Sequence, residues 1–115
     1  MAGKQAAANA LFKMVTLLAE EMEKEMPLTQ VLMFARVALA GGAGVDQGRL
    51  EKELKLSSAG TSRTAQALSK IHYHKDRPGH DVIESTFDAK DRRLRALKLT
   101  PKGERIIAKL QQVIG

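Results

Sequence analysis

The side chains best suited to specific hydrogen bonding fall in one stretch of the chain. Ser58, Ser62 and Gln66 recur every four residues with Arg63 beside them, and no Asp or Glu occurs from Ser57 through Tyr73. An arginine fork can donate two hydrogen bonds to a guanine edge, a glutamine amide can pair bidentately with adenine, and a serine hydroxyl reaches a base or a phosphate. Ser57 and Lys70 flank this set and suit phosphate oxygens, contacts that position a duplex without reading it. A second cationic cluster contains Lys90, Arg92, Arg93 and Arg95. An arginine from such a cluster can enter a narrow minor groove, where negative potential concentrates.

Other chemistry is poorly supported. His72, His74 and His80, with Asp76 and Asp81, come nearest to a metal set. The H-x-H spacing puts two imidazoles on one side only in an extended segment, so a solvated loop without metal is expected. The chain has no cysteine, which excludes disulfides, thiolate zinc sites and thiol redox sensing. The Gly41–Gly44 tract lacks the strand and lysine of a phosphate-binding loop, and no Ser-His-Asp set stands out. Neither an enzyme nor a cofactor is expected.

Charge separates the two halves of the chain. Residues 1–56 carry seven Lys/Arg and seven Asp/Glu, whereas residues 57–115 carry twelve against six and so hold the whole net charge of +6. A surface that binds a polyanion concentrates cations in this way, because each phosphate contact needs one locally. Aromatics make up only 3% of 115 residues, so the core must come from Leu, Ile, Val, Met and Ala, which favours helices. No apolar run is long enough to span a bilayer, and the N-terminus does not read as a signal peptide, so a cytoplasmic protein is expected.

The elements that must present these residues can be read from periodicity. Ala7, Leu11, Met14, Leu18 and Met22 predict a first helix over about 4–26, ended by Pro27, with Val15 and Leu17 widening its apolar stripe. Thr29 is the expected cap of a second helix, which buries Val31, Leu32, Phe34, Ala35, Ala38 and Leu39 and stops in the glycine tract. Asp46 caps a short third helix carrying Leu50 and Leu54, with Glu51 spaced to pair with Lys55. A fourth helix runs from Ser57 or Ser58 to about His72, with Thr61, Ala65, Leu68 and Ile71 inward. Val82–Phe87 and Leu94–Leu99 read as two strands of a hairpin, and Thr100-Pro101 opens a last helix over 101–114. The expected fold is mainly α with a small β-hairpin (α+β), a winged helix-turn-helix in a single domain over 1–115.

The hairpin carries a family resemblance. Asp88-Ala89-Lys90-Asp91-Arg92-Arg93, followed by the strand Leu94–Leu99 and by Leu99-Thr100-Pro101-Lys102-Gly103, resembles the wing of MarR-type regulators. Leu56-Ser57-Ser58-Ala59-Gly60-Thr61-Ser62-Arg63 looks like the start of that family's recognition helix, and Leu28-Thr29-Gln30 like the opening of its second helix. The likeness spans roughly residues 28–114. It implies a DNA-binding transcriptional regulator, usually a repressor, with the helix at about 58–72 in the major groove and the wing at about 82–99 in the minor groove. It also implies that Arg93 is the inserted residue and that Asp91 orients an arginine. A homodimer paired through the terminal helices would bind an inverted-repeat operator in double-stranded DNA and associate with the nucleoid.

Two features depart from the family pattern. The stretch His72–His80 is longer than usual, similar to Pro-Gly insertions in small phage and prophage winged-helix proteins. The chain is also shorter at its C-terminus than typical members, which leaves a small-molecule effector open. Two other readings share the basic face: a non-specific replication or architectural factor of a phage or plasmid, and a winged helix that binds protein.

Overall fold

The computed structural model describes residues 3–70, 77–87 and 95–114. Five α-helices surround a small antiparallel sheet: α1 (Gly3–Glu21), α2 (Leu28–Ala40), β1 (Val45–Asp46), α3 (Gln47–Leu54), α4 (Ser58–Leu68), β2 (Ile83–Phe87), β3 (Arg95–Leu99) and α5 (Pro101–Ile114). The strand order is β1-β3-β2, with Val45 opposite Leu97 and Ser85 also opposite Leu97 on the other side. This is the winged helix-turn-helix expected from the sequence, with a third strand that two residues are too few to announce.

The core lies where α2, α3, α4 and the root of the sheet meet. Met33, Phe34, Val37, Leu50, Leu68, Val82, Ile83, Leu97 and Ile106 are almost wholly buried there. Each large side chain in this set contributes about 1.5–3 kcal/mol by leaving water. Thr61 is buried among them without cost, because its hydroxyl donates to the Ser57 carbonyl at 2.8 Å.

Local signals fix most element ends. The Asp46 carboxylate accepts from the Gly48 amide at 2.9 Å and caps α3, and the Ser57 hydroxyl accepts from Gly60 at 2.9 Å and caps α4. Thr100 opens α5: its hydroxyl accepts from the Gly103 amide and donates to the Asp81 carbonyl at 2.6 Å.

Several ends differ from expectation. The first helix stops at Glu21, not near Met26, because Glu20, Glu21, Glu23 and Glu25 crowd the negative pole of its dipole. Pro27 itself is the residue before α2, which lacks a side-chain cap; Thr29 lies inside the helix. Lys55 adopts a left-handed conformation (φ 56°) that terminates α3, so the i,i+4 pair on that helix is Arg49–Glu53 and not Glu51–Lys55. On α2 the buried stripe is Met33, Phe34 and Val37, while Leu28, Leu32 and Leu39 are exposed.

The fourth helix ends at Leu68, short of the expected His72, because another segment takes over its carbonyls. The amides of Gly79, His80, Asp81 and Val82 donate to Lys70, Ala67, Ser69 and Leu68 respectively, at 2.8–3.2 Å. The approach is so close that a Cβ on Gly79 would lie 1.7 Å from the Ser69 carbonyl oxygen. Val82 then accepts from the Thr100 amide, and a Cβ on Gly103 would sit 2.2 Å from the Val82 oxygen. The Leu-Thr-x-x-Gly sequence is thus the mould for this crossing.

Gly79→Ala should destabilise the fold by about 1–3 kcal/mol in urea unfolding, since backbone must move to admit the methyl group. Gly42→Ala is the control: a Cβ there meets nothing within 4 Å, and the midpoint should stay within error or rise slightly.

Candidate nucleic-acid interface

The outward arc of α4 collects the residues singled out by type. Ser58, Arg63 and Gln66 are exposed and Ser62 is half-buried, and Lys70 is exposed just beyond the helix end. At 3.6 residues per turn these side chains occupy about a third of the helix circumference. Gln66 lies near the middle of the arc, and its amide reaches the Ser62 hydroxyl at 3.4 Å. The two edges of the arc face different neighbours. Ser58, Ser62 and Gln66 border a groove shared with Ser85 and Arg95 of the sheet, whereas Arg63 borders a second groove with Thr29 and Gln30 at the start of α2. Ser57 already uses its oxygen in the cap, where it accepts from the Gly60 amide.

The sheet supplies one cationic neighbour to this groove, Arg95. Strand alternation puts Arg95, Leu97 and Leu99 on the face toward the core, and Leu97 is only 1% exposed while Arg95 reaches solvent. Arg95 therefore stands at the outer end of β3, opposite Phe87, and borders the groove beside α4. Lys90, Asp91, Arg92 and Arg93 lie outside the described residues. So do His72, His74 and Asp76 of the histidine set; among the described residues no group of three metal-ligating side chains occurs. His80 is not in a solvated loop: its side chain is 18% exposed, its ring lies 3.1 Å from Glu23, and its carbonyl accepts from Lys102 at 2.8 Å.

The first two helices of the motif are held by an ion-pair triad. The Arg36 guanidinium on α2 bonds Glu53 of α3 at 2.5 Å, and Arg49 adds a bond at 3.0 Å. Arg36 above all, with Arg49, keeps the Glu53 carboxyl below its ordinary value of 4.5, against the opposing effect of burial. This links α3 to α2 at the surface, over the buried contact of Leu50 with the α2 core residues.

Gln47 and Ser85 were not singled out in the sequence. Both line the groove between α4 and the sheet, and the only signal for Ser85 is its place two residues beyond the core residue Ile83 in an alternating strand.

These elements together define the winged-helix fold of MarR-type regulators. A MepR variant from S. aureus, solved bound to an oligodeoxyribonucleotide, superposes with a TM-score of 0.68 at 15% identity, over 96% of this chain and 71% of that one. The structure of MarR gives 0.59 at 21% identity, over 98% and 75%. A MarR transcriptional regulator from Methanosarcina mazei gives 0.61 at 20% identity, over 96% and 72%. Neither a protein-family model nor a curated protein sequence matches the chain. Likeness at these identities establishes the fold. Among the described residues, no helix is long and apolar enough to cross a membrane.

The depressed Glu53 titration has a signed consequence. Its stabilising contribution is present above the unfolded value of 4.5 and is lost as pH falls through the lower folded value. Glu53→Gln should therefore reduce stability near neutral pH and flatten the acid limb of a urea-midpoint against pH curve relative to the parent.

Proposed function

We propose that the chain is a transcriptional regulator that binds double-stranded DNA by sequence, as a homodimer, and represses by occluding a promoter. The observation that carries this reading is the acid-free outward arc of α4, set beside an arginine-bearing sheet. The fold is one that a MepR structure displays on an oligodeoxyribonucleotide. In this reading α4 enters the major groove, where Arg63 and Gln66 read bases, Ser58 and Ser62 contact bases or phosphates, and Ser57 and Lys70 hold the backbone. The hairpin lies along the adjacent minor groove. Lys90, Arg92 and Arg93 reach it from the wing, with Asp91 orienting an arginine, as the family resemblance implies.

A second copy accounts for the apolar surface of the terminal helices. Leu11, Phe12 and Val15 on α1 are 59%, 73% and 54% exposed, and Ile114 on α5 is 51% exposed. One domain has no use for such a surface, and pairing it across a two-fold axis buries it. The two copies of α4 would then meet successive major grooves on one side of the duplex, with half-sites about one helical turn apart. No cofactor or catalytic role is proposed.

Selection from a random duplex pool at physiological salt tests this reading. It should return an inverted repeat, bound about a thousandfold or more above shuffled DNA. Arg63→Ala should cost about 1–3 kcal/mol at one base pair and relax the preference there, while Lys70→Ala weakens all sequences alike. An unselected pool, or an unchanged preference in Arg63→Ala, would contradict the assignment of α4.

A further inference from the structure

The groove between α4 and the sheet has its own chemistry. Its walls come from Gln47 at the first turn of α3, Ser62 and Gln66 of α4, and Ser85 and Arg95 of the hairpin, and among the described residues no carboxylate lines it. Arg95 lies opposite Phe87 in the strand register, and Ser85 opposite Leu97, so Ser85 and Arg95 are diagonal neighbours on one face. The same face is fully buried at its root, where Ile83 and Leu97 are each 1% exposed. One step outward it turns from hydrocarbon to hydroxyl and guanidinium. A face of this kind is built to stop at something polar that lies between the helix and the hairpin.

Duplex geometry identifies what that is. The major and minor grooves are separated by a sugar-phosphate strand, so a protein with a helix in one groove and a hairpin in the next must straddle that strand. We propose that the groove lined by Gln47, Ser85 and Arg95 is a seat for one phosphodiester of this strand. Arg95 supplies the charge, and the Ser85 hydroxyl and Gln47 amide supply neutral donors. This inference rests on the reading of α4 as the major-groove helix. It separates Arg95 from the arginines of the wing: Arg95 fixes register on the backbone and reads no base, and it does so from a β-sheet anchored by core residues two positions away.

The test measures affinity of the full chain for its selected duplex and for a shuffled one across a salt series. Arg95→Gln should weaken both by the same factor, leave their ratio unchanged, and reduce the slope of log K against log salt by about 1.8 for the bound dimer, one phosphate contact being lost from each subunit. Arg95→Lys should retain the slope. Gln47→Glu is the independent probe. The first turn of α3 contains no acid, so a carboxylate there should hold or raise the thermal midpoint. Facing a phosphate, it should nonetheless lower affinity for both duplexes. An unchanged slope in Arg95→Gln, an altered preference for A·T over G·C flanks, or undiminished binding by Gln47→Glu would overturn the phosphate seat. Failure of the parent protein to bind any duplex would instead overturn the reading of α4 on which the seat rests.

Discussion

Four consecutive backbone amides, from Gly79 to Val82, close the carbonyl end of α4 and pass the chain on to the sheet. A helix end buried without partners would leave its last carbonyls unsatisfied at a cost comparable to lost hydrogen bonds. Here the donors come from the segment that also enters β2 and abuts α5. The same crossing therefore ends the helix, starts the hairpin and seats the last helix. Asp81 takes a left-handed conformation (φ 57°) to make the turn, and Thr100 ties its carbonyl to α5. Because the crossing admits no Cβ at Gly79 or Gly103, the relative placement of α4 and the hairpin has little room to vary.

That rigidity gives the exposed residues their meaning. Base readout needs side chains held in register with the edges they meet, and a helix pinned at both ends offers this. Ser57 caps one end, the crossing closes the other, and the Arg36–Glu53–Arg49 triad links α3 to α2 at the surface. Ser58, Ser62 and Gln66 of the arc then share one groove with Ser85 and Arg95 of the sheet. The terminal helices contribute nothing to it. Leu11, Phe12 and Val15 of α1 leave an exposed apolar surface elsewhere on the chain.

Much of this was legible in the chain. The helix-turn-helix followed from Asp46, Ser57 and the glycine tract, each a strong local signal, and the hairpin and last helix from Leu99-Thr100-Pro101-Lys102-Gly103. What periodicity missed has identifiable causes. The second helix is apolar on two faces, so Leu32 and Leu39 read as core residues although Met33 and Val37 occupy it. The true end of α4 depends on the amides of Gly79 to Val82, more than ten residues further on, a tertiary contact that no local pattern encodes. The two-residue strand β1 exists only through its pairing with β3. The exposed arc of α4 was legible from residue type and spacing, as at Arg63 and Gln66, which the structure leaves exposed. The groove beside it was not legible at Gln47, whose place there comes from where α3 begins and not from its type.

A DNA-facing surface that joins the α4 arc to Ser85 and Arg95 is tested most directly by an NMR titration. A labelled sample of the chain would be titrated with its selected duplex while backbone amide shifts are followed. The largest changes should cluster from Ser57 to Lys70 and at Gln47, Ser85 and Arg95, with the outer face of α2 around Leu32 and Leu39 unaffected. Changes centred on that α2 face, or none along α4 at saturating duplex, would contradict the account.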